Sequence, residues 1–332
     1  MKFYYQNPHE ILEPVGVRAT FYESYTDEEI VVKVPILYHD KIKLLFLGPV
    51  SFNLDLKGFI PMEDVIDQVG HIQMLNENVA YITDGKKIYK SEDGFCTYEA
   101  VIDLGGKFIG SFYFMDENNA WIGVNEPKIP GGSSRAVHIY FTNNGGETLS
   151  QKYQIGEDIG SIHRMEFPSL AKGYVVTSKG KMFVCDQDQV QNIFDYFPEL
   201  SSVPYSDQEI FSFTAVSEDL VFLAPNSDPY LTKIENGNVS YSTFETWPSA
   251  PFLFDQTGYV QVNEHIYKTV DAGNTWEKIK TFQGNYARIH FFDKDVGLAI
   301  LEGSDVTIFK TTDGGNTWND YWSPSLSLSQ PR

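Results

Sequence analysis

The chain has 332 residues, 42 % hydrophobic and 15 % aromatic, and sets 45 Asp and Glu against 25 Lys and Arg for a formal charge of −20. That balance excludes a phosphate-backbone binder, because affinity for DNA or RNA rests on Lys and Arg displacing condensed counterions, and it is equally unsuited to anionic membranes. The same field favours association with a basic protein or a cationic ligand.

Taken in chain order, the opening "MKFYYQNPHEILEPVG" carries Pro8, Glu10 and Glu13 where a signal peptide needs an unbroken apolar run, which points to the cytoplasm. The longest apolar runs, such as "LLFLGPVSF" at 44–52, are about half the ~18 residues of a membrane-spanning helix. Cys96 and Cys185 are far apart in sequence and fit free thiols in a reduced compartment, with a structural pair left open. Strand patterns occur at 18–24, 29–38 and 41–48, and "MEDVIDQV" at 62–69 suggests a short helical insertion.

From residue 70 onward the chain repeats. The pattern Ser/Thr-x-Asp-x-Gly-x-Thr-Trp stands at 269–276 ("TVDAGNTW") and, 42 residues later, at 311–318 ("TTDGGNTW"). A weaker copy at 142–149, "TNNGGETL", has Asn144 for the Asp and Leu149 for the Trp. Another at 91–98, "SEDGFCTY", keeps Ser91, Asp93 and Thr97 but has Phe95 for the Gly. Each copy is preceded by an apolar residue and then a small one leading into a hydrophobic strand, from Met74, Phe114, Phe167, Phe213, Phe254 and Phe291, which gives six units. Eroded copies place Cys185 and Thr232 at the Ser91 position. Period-2 alternation with Gly and Asp at the breaks is a hairpin signature, and a period near 42 is the size of a four-stranded propeller blade.

Turn chemistry explains the box. Asp271 and Asp313 can accept hydrogen bonds from nearby backbone N–H groups, Gly273 and Gly315 can take a positive φ, and Thr275 and Thr317 add a hydroxyl. Trp276 and Trp318 then open the next strand as wedges between neighbouring sheets, so the box is a structural staple.

These motifs resemble Asp-boxes, the bacterial neuraminidase repeats of sialidases, sortilin-type receptors, photosystem II assembly factors and many bacterial propellers. The resemblance covers residues ~70 to ~320 at the level of the period. It implies an all-β fold, a single β-propeller of about 42 residues per blade, with the boxes on its periphery and away from catalysis. One domain is expected over 1–332: N-terminal strands in 1–70 that supply a seventh blade in preference to a ring of six, six units in 71–322, and a tail at 323–332. The strand "WNDYW" at 318–322 is expected to pair with the N-terminal strands and so close the ring.

Sialidase chemistry is not expected. Such enzymes need an arginine triad, and this chain has only Arg18, Arg135, Arg164, Arg288 and Arg332, with no Arg-Ile-Pro motif. Ser134, Arg135 and His138 in "GGSSRAVH" look like a loop rather than a nucleophile elbow, no metal-ligand spacing stands out, and no cofactor is indicated. Counting nine positions back from the small residue of each unit gives His71, Ser111, Arg164, Phe211, Ser249 and Arg288. Arg164 and Arg288, with His71 nearby, could form an anion site at the channel mouth, or simply pair with surface acids. The longest loops span 125–138 and 185–210, and the second carries Tyr196, Phe197 and Tyr205 among carboxylates, a mixture suited to a basic, partly apolar protein partner or, alternatively, a loop closing its own small core.

The sequence therefore points to a non-catalytic protein-binding propeller, an inhibitor, immunity-type protein or assembly factor. A glycan-acting hydrolase or lyase of the same fold is the alternative, and a small-anion sensor is the third.

Overall fold

The structure, a computed structural model, describes residues 2–5, 15–20, 35–36, 71–76, 79–92, 98–125, 136–157, 159–225, 227–282, 286–302 and 307–322. The chain divides into two compact units, Met1–Asp158 and Ile159–Arg332.

Among the described residues the first unit holds three antiparallel sheets. A three-stranded one is made of β1 (Lys2–Tyr5), β2 (Val15–Thr20) and β3 (Pro35–Ile36). Two four-stranded meanders follow: β4 (His71–Met74), β5 (Ala80–Thr83), β6 (Lys87–Ser91) and β7 (Glu99–Asp103), then β8 (Phe108–Phe114), β9 (Ala120–Asn125), β10 (Ala136–Thr142) and β11 (Ser150–Glu157). The second unit holds four such meanders. Its first is β12 (Ile162–Glu166), β13 (Lys172–Thr177), β14 (Met182–Asp186) and β15 (Gln189–Asn192); its second is β16 (Ser212–Ala215), β17 (Leu220–Ala224), β18 (Tyr230–Glu235) and β19 (Asn238–Thr243). The third is β20 (Phe252–Phe254), β21 (Thr257–Val262), β22 (His265–Thr269) and β23 (Glu277–Thr281), and the fourth β24 (Tyr286–Phe291), β25 (Gly297–Glu302), β26 (Thr307–Thr311) and β27 (Asn319–Trp322). A short helix, α1 (Ile193–Tyr196), and a 3-10 turn at Pro198–Ser202 follow β15.

The six repeat units are thus six four-stranded sheets. Of the N-terminal strands expected at 18–24 and 29–38, β2 and β3 are described, while the segments 41–48, 62–69 and 323–332 lie outside the described residues. The strand 318–322 is β27, which pairs with β26, Asn319 opposite Lys310 and Trp322 opposite Ile308; most of the N-terminal residues expected to pair with it lie outside the described residues. The box turn reverses the chain directly beside β26, so the nearest unpaired edge is that of its own sheet.

Burial grades across each sheet. The second strands are buried on both faces, continuously so in β5 and β9, which is why they read as unbroken apolar runs. The fourth strands β7, β15 and β19 are mostly exposed and alternate or turn polar.

The box forms the turn between third and fourth strands. In one copy Asp313 Oδ1 accepts from Thr317 N at 2.9 Å and from Thr311 Oγ1 at 2.9 Å, Asp313 Oδ2 accepts from Thr317 Oγ1 at 2.6 Å, and Thr311 Oγ1 accepts from Gly315 N at 2.9 Å. Asp271 repeats this set with Thr269, Gly273 and Thr275. Asn144 does so too, accepting from Thr148 N at 3.0 Å while Gly146 N donates to Thr142 Oγ1 at 2.9 Å, so an amide serves where the other turns have a carboxylate. The glycine is needed twice over: Gly315 has φ 83°, and a Cβ there would stand 2.5 Å from Ile279 of the preceding sheet. The tryptophans wedge as expected. Trp318 meets Phe282 and Phe291 edge-on at 5.7 and 5.9 Å, and Trp276 packs on the cluster of Phe222, Leu231 and Val260. Asp93 and its neighbours 93–97 lie outside the described residues.

The two eroded copies have different turns. Cys185 occupies the expected position, buried and opposite Gly173, as Thr269 is opposite Gly258, and burial pushes its thiol pKa up. Thr232 does not: in register terms the equivalent residue is Ile234, opposite Val221, so Thr232 lies two residues away. In both sheets a two-residue turn replaces the box, Gln187–Asp188 in one and Asn236–Gly237 in the other, where φ values of 50° and 78° fit a type I′ hairpin.

The small residue has a packing cause. Phe167 lies over Gly173 so closely that a Cβ would stand 2.1 Å from its ring, and Phe291 covers Gly297 in the same way at 2.7 Å. The tyrosine after the small residue then reaches the next sheet. Tyr259 stacks on Phe291 at 3.5 Å and 2°, and its hydroxyl donates to Lys294 O at 2.5 Å; in the first unit Tyr81 stacks on Phe114 at 3.5 Å and 10°.

Two predictions follow from these contacts. Gly297→Val forces the Phe291 ring off its site and is expected to lower stability by about 1–3 kcal/mol in denaturant unfolding, with part of the loss recovered in Gly297→Val/Phe291→Leu; a neutral single variant would show the contact to be slack. The carboxyls of Asp271 and Asp313 are held at about 2, below the ordinary 3.8, chiefly by the Thr275 and Thr317 side chains that donate to them. A depressed carboxylate contributes stability above its unfolded pKa and loses it as pH falls through the folded one. Thermal midpoints should therefore drop between pH ~4 and ~2, and Asp271→Asn/Asp313→Asn, which keeps the acceptor as Asn144 does, should flatten that drop; parallel pH curves for the two proteins would contradict this.

Candidate functional site

Four of the six nine-back positions lie on first strands and share one register. His71 is opposite Thr83, Ser111 opposite Gly123, Arg164 opposite Val176 and Arg288 opposite Ile300, in each case three residues beyond the small one. Ser249 N donates to Gln261 O at 2.8 Å and so occupies the same level. Phe211 is one residue off. Its sheet puts Ser212 there, opposite Ala224, because the large–small pair is inverted: Ala215 faces Val221 where the other sheets set a larger side chain against glycine or alanine, as Phe114 against Ala120 and Phe291 against Gly297.

Within the first unit His71 Nδ1 is 3.1 Å from Ser111 Oγ and its ring stacks on Phe112 at 4.6 Å. In the second unit Arg164 is taken up by Glu166, Nε donating to Oε1 at 3.1 Å and Nη2 completing the ion pair, with the guanidinium 5.4 Å over the Phe213 ring. Glu166 in turn accepts Ala215 N at 2.7 Å on Oε2, so the pair ties β12 to β16. The same tie recurs with amides. Gln73 both accepts from Phe114 N and donates to Phe114 O at 2.7 Å, and Gln261 Oε1 accepts from Ile289 N at 3.2 Å. Arg288 is exposed on β24, and His290 is buried between Phe252 and Phe292. His163, next to Arg164, is exposed.

The segment 185–210 closes a core rather than presenting its aromatics. Phe197 is 8 % exposed and joins Ile193, Leu200, Val203 and Ile210 against Val221 and Ile234. Tyr196 donates to Asp186, Tyr205 pairs with Thr232 Oγ1 at 2.5 Å, and Lys172 lies 5.1 Å over the Tyr196 ring. The expectation of Tyr196, Phe197 and Tyr205 as a displayed binding loop is corrected to this extent: apolar rings beside the β12–β15 and β16–β19 sheets gain more from burial there than from solvent. The tip of the other long loop, 126–135, lies outside the described residues.

Lysines are spent between sheets. Lys233, 3 % exposed, bridges Glu235 at 2.9 Å and Asn274 Oδ1 of the next sheet's box at 2.9 Å; Lys268 donates to Gly314 O of the following box at 3.0 Å; Lys90 reaches Glu117 at 2.8 Å. Sequence inspection missed both these lysines and the tyrosines after the small residue, although each recurs in three of the six units: Lys90, Lys268 and Lys310 directly before the box Ser or Thr, Tyr81, Tyr174 and Tyr259 directly after the small residue.

No protein-family model matches the sequence, and no curated protein matches it. Solved structures do match. YCF48 from Cyanidioschyzon merolae superposes with a TM-score of 0.55 at 14 % identity over 76 % of this chain and 84 % of that one. The chain has the β-propeller fold. YCF48 bound to a D1 peptide matches with a TM-score of 0.52 at 13 % identity, covering 76 % and 80 % of the two chains, and an ancestral GH74 enzyme at 0.52 and 11 %, covering 77 % and 41 %. At these identities the likeness is one of fold. Among the described residues no helix is long and apolar enough to cross a membrane.

Glu166→Ala leaves Ala215 N and the Arg164 guanidinium without their acceptor and is expected to cost about 1–3 kcal/mol. Arg164→Ala should cost less, since Glu166 keeps its backbone donor. Unfolding midpoints in urea compare the two, and a larger loss from Arg164→Ala would reverse the assignment.

Proposed function

We propose that this protein is a non-catalytic, protein-binding β-propeller, an acidic scaffold for a basic protein partner, working in the cytoplasm. The observation that carries this is the disposition of charge. The chain is at −20, and Lys90, Lys233 and Lys268 point their amines into ties between sheets, so the field met by an approaching molecule is that of the carboxylates. The recurrent box, with its side chains engaged in the turn, supports the Asp-box resemblance and a structural use of the repeats. A propeller of the same fold, YCF48, is known bound to a D1 peptide, which supports an assembly-factor role; an inhibitor or immunity-type role uses the same acidic surface. Arg164, one of the two arginines of the small-anion reading, is engaged by Glu166, which favours the protein-binding reading over that one.

A tagged pull-down at low and moderate salt tests the proposal, with Arg164→Ala/Arg288→Ala alongside. The expected result is a stoichiometric protein partner, weakened by salt and kept by both forms. A partner lost with the arginines would move the contact to the first-strand level, and no partner from either form would favour the glycan-acting hydrolase or lyase.

A further inference from the structure

The outer strands of the six sheets are not equally protected. β7, β11, β23 and β27 each pair with the third strand through a register shift and each carries charge: Glu99 and Asp103, Lys152, Glu277 with Lys278 and Lys280, and Asp320. β15 is four residues long and runs directly into α1. Bulges, charges and short length are the devices by which proteins keep sheet edges from pairing with other chains.

β19 has none of these. It runs six residues, "NVSYST", with no charged side chain in a chain of −20, and pairs with β18 without a break from Tyr230–Thr243 to Glu235–Asn238. The cause is local: the Asn236–Gly237 type I′ turn replaces the box, and the bulge that accompanies the box turns is absent with it. Within the described residues β19 pairs on one side only. A two-residue turn makes Glu235–Asn238 a hydrogen-bonded pair, so alternation directs the N–H and C=O groups of Val239, Tyr241 and Thr243 away from β18. Tyr241 is 45 % exposed on this strand, and Trp247, in the loop that follows, is 54 % exposed.

We infer that β19 is a docking edge that takes an extended, basic segment of a partner protein as a fifth strand of its sheet, an inference that rests on the protein-binding reading above. Main-chain hydrogen bonds to Val239, Tyr241 and Thr243 supply the affinity, and the exposed rings give the added strand an aromatic surface. Charge selects the occupant. A second copy would bring another −20 to the contact, whereas a strand flanked by Lys or Arg meets Glu235 and Glu245, which stand just outside the two ends of β19 and stay 46 % and 40 % exposed while each also pairs with one lysine, Lys233 and Lys278. The exposed carboxyl of Glu245 is held ionised by Lys278 and Tyr267.

The probe is the peptide Lys-Lys-Thr-Val-Thr-Val-Thr-Val-Lys-Lys, with a version carrying Glu at both ends as control, titrated onto the full chain by fluorescence anisotropy. The basic peptide should bind more tightly than the acidic one and slow amide exchange at Val239, Tyr241 and Thr243. Tyr241→Pro, which removes an outward N–H without touching the β18 ladder, should weaken binding about tenfold. Tyr241→Lys, which keeps the backbone and places a cation on the edge, should do the same, with thermal midpoints confirming that the variants fold. Failure of the basic peptide to bind, binding indifferent to both variants, or protection gained elsewhere overturns the inference. A wild-type dimer that both variants convert to monomer overturns it in favour of self-pairing. A lysate partner kept by Tyr241→Pro would leave the protein-binding reading standing and remove only the edge.

Discussion

A phenylalanine lying on a residue with little or no side chain sets the spacing on which these sheets depend. Phe291 covers Gly297 within its sheet, and Tyr259 of the preceding sheet stacks on the same ring. Adding one methyl group at the glycine would displace the ring on which the tyrosine stacks, so the contact couples the packing within a sheet to that between sheets. The tyrosine hydroxyl then satisfies a loop carbonyl of the next sheet, Lys294 O for Tyr259 and Glu218 O for Tyr174, which fixes direction as well as distance.

Polar ties work at the same junctions. Glu166, Gln73 and Gln261 each supply an acceptor to a backbone N–H of the following sheet's first strand, and Lys233 and Lys268 cap the following sheet's box. The box is therefore more than a turn. Its own hydroxyls and carboxylate hold the loop, its glycine admits the preceding sheet, its tryptophan fills the gap, and its outward carbonyls receive a lysine from the neighbour. A chain with 25 Lys and Arg against 45 Asp and Glu uses several of its cations here.

Sheet β16–β19 departs from the repeat in two linked ways. Its large–small pair is inverted to Ala215 and Val221, and its box is replaced by Asn236–Gly237. The first change hid the unit's register, so that Phe211 and Thr232 were read one and two residues from the equivalent positions, Ser212 and Ile234. The second leaves β19 without a bulge, uncharged and, within the described residues, paired on one side only. The box is replaced in sheet β12–β15 as well, but the inverted pair is particular to this sheet, and such a departure is where a role other than stability can enter.

The repeat, the strand count of each unit and the chemistry of the box were legible in the sequence because they are local: Asp313, Thr317 and Gly315 meet within seven residues, and no distant residue can change which backbone groups they satisfy. The four-stranded unit followed from the 42-residue period for the same reason. What only the tertiary structure decided depends on residues far apart in the chain. Arg164 could be read as an anion ligand or as the partner of a surface acid, and the structure pairs it with Glu166, itself held by Ala215 of another sheet. Tyr196, Phe197 and Tyr205 looked like a displayed surface until the β12–β15 and β16–β19 sheets gave them a core to enter. An arginine or an aromatic ring has the same local signature in either setting, and the choice between them is made by the free energy of burial and pairing against neighbours that sequence distance conceals.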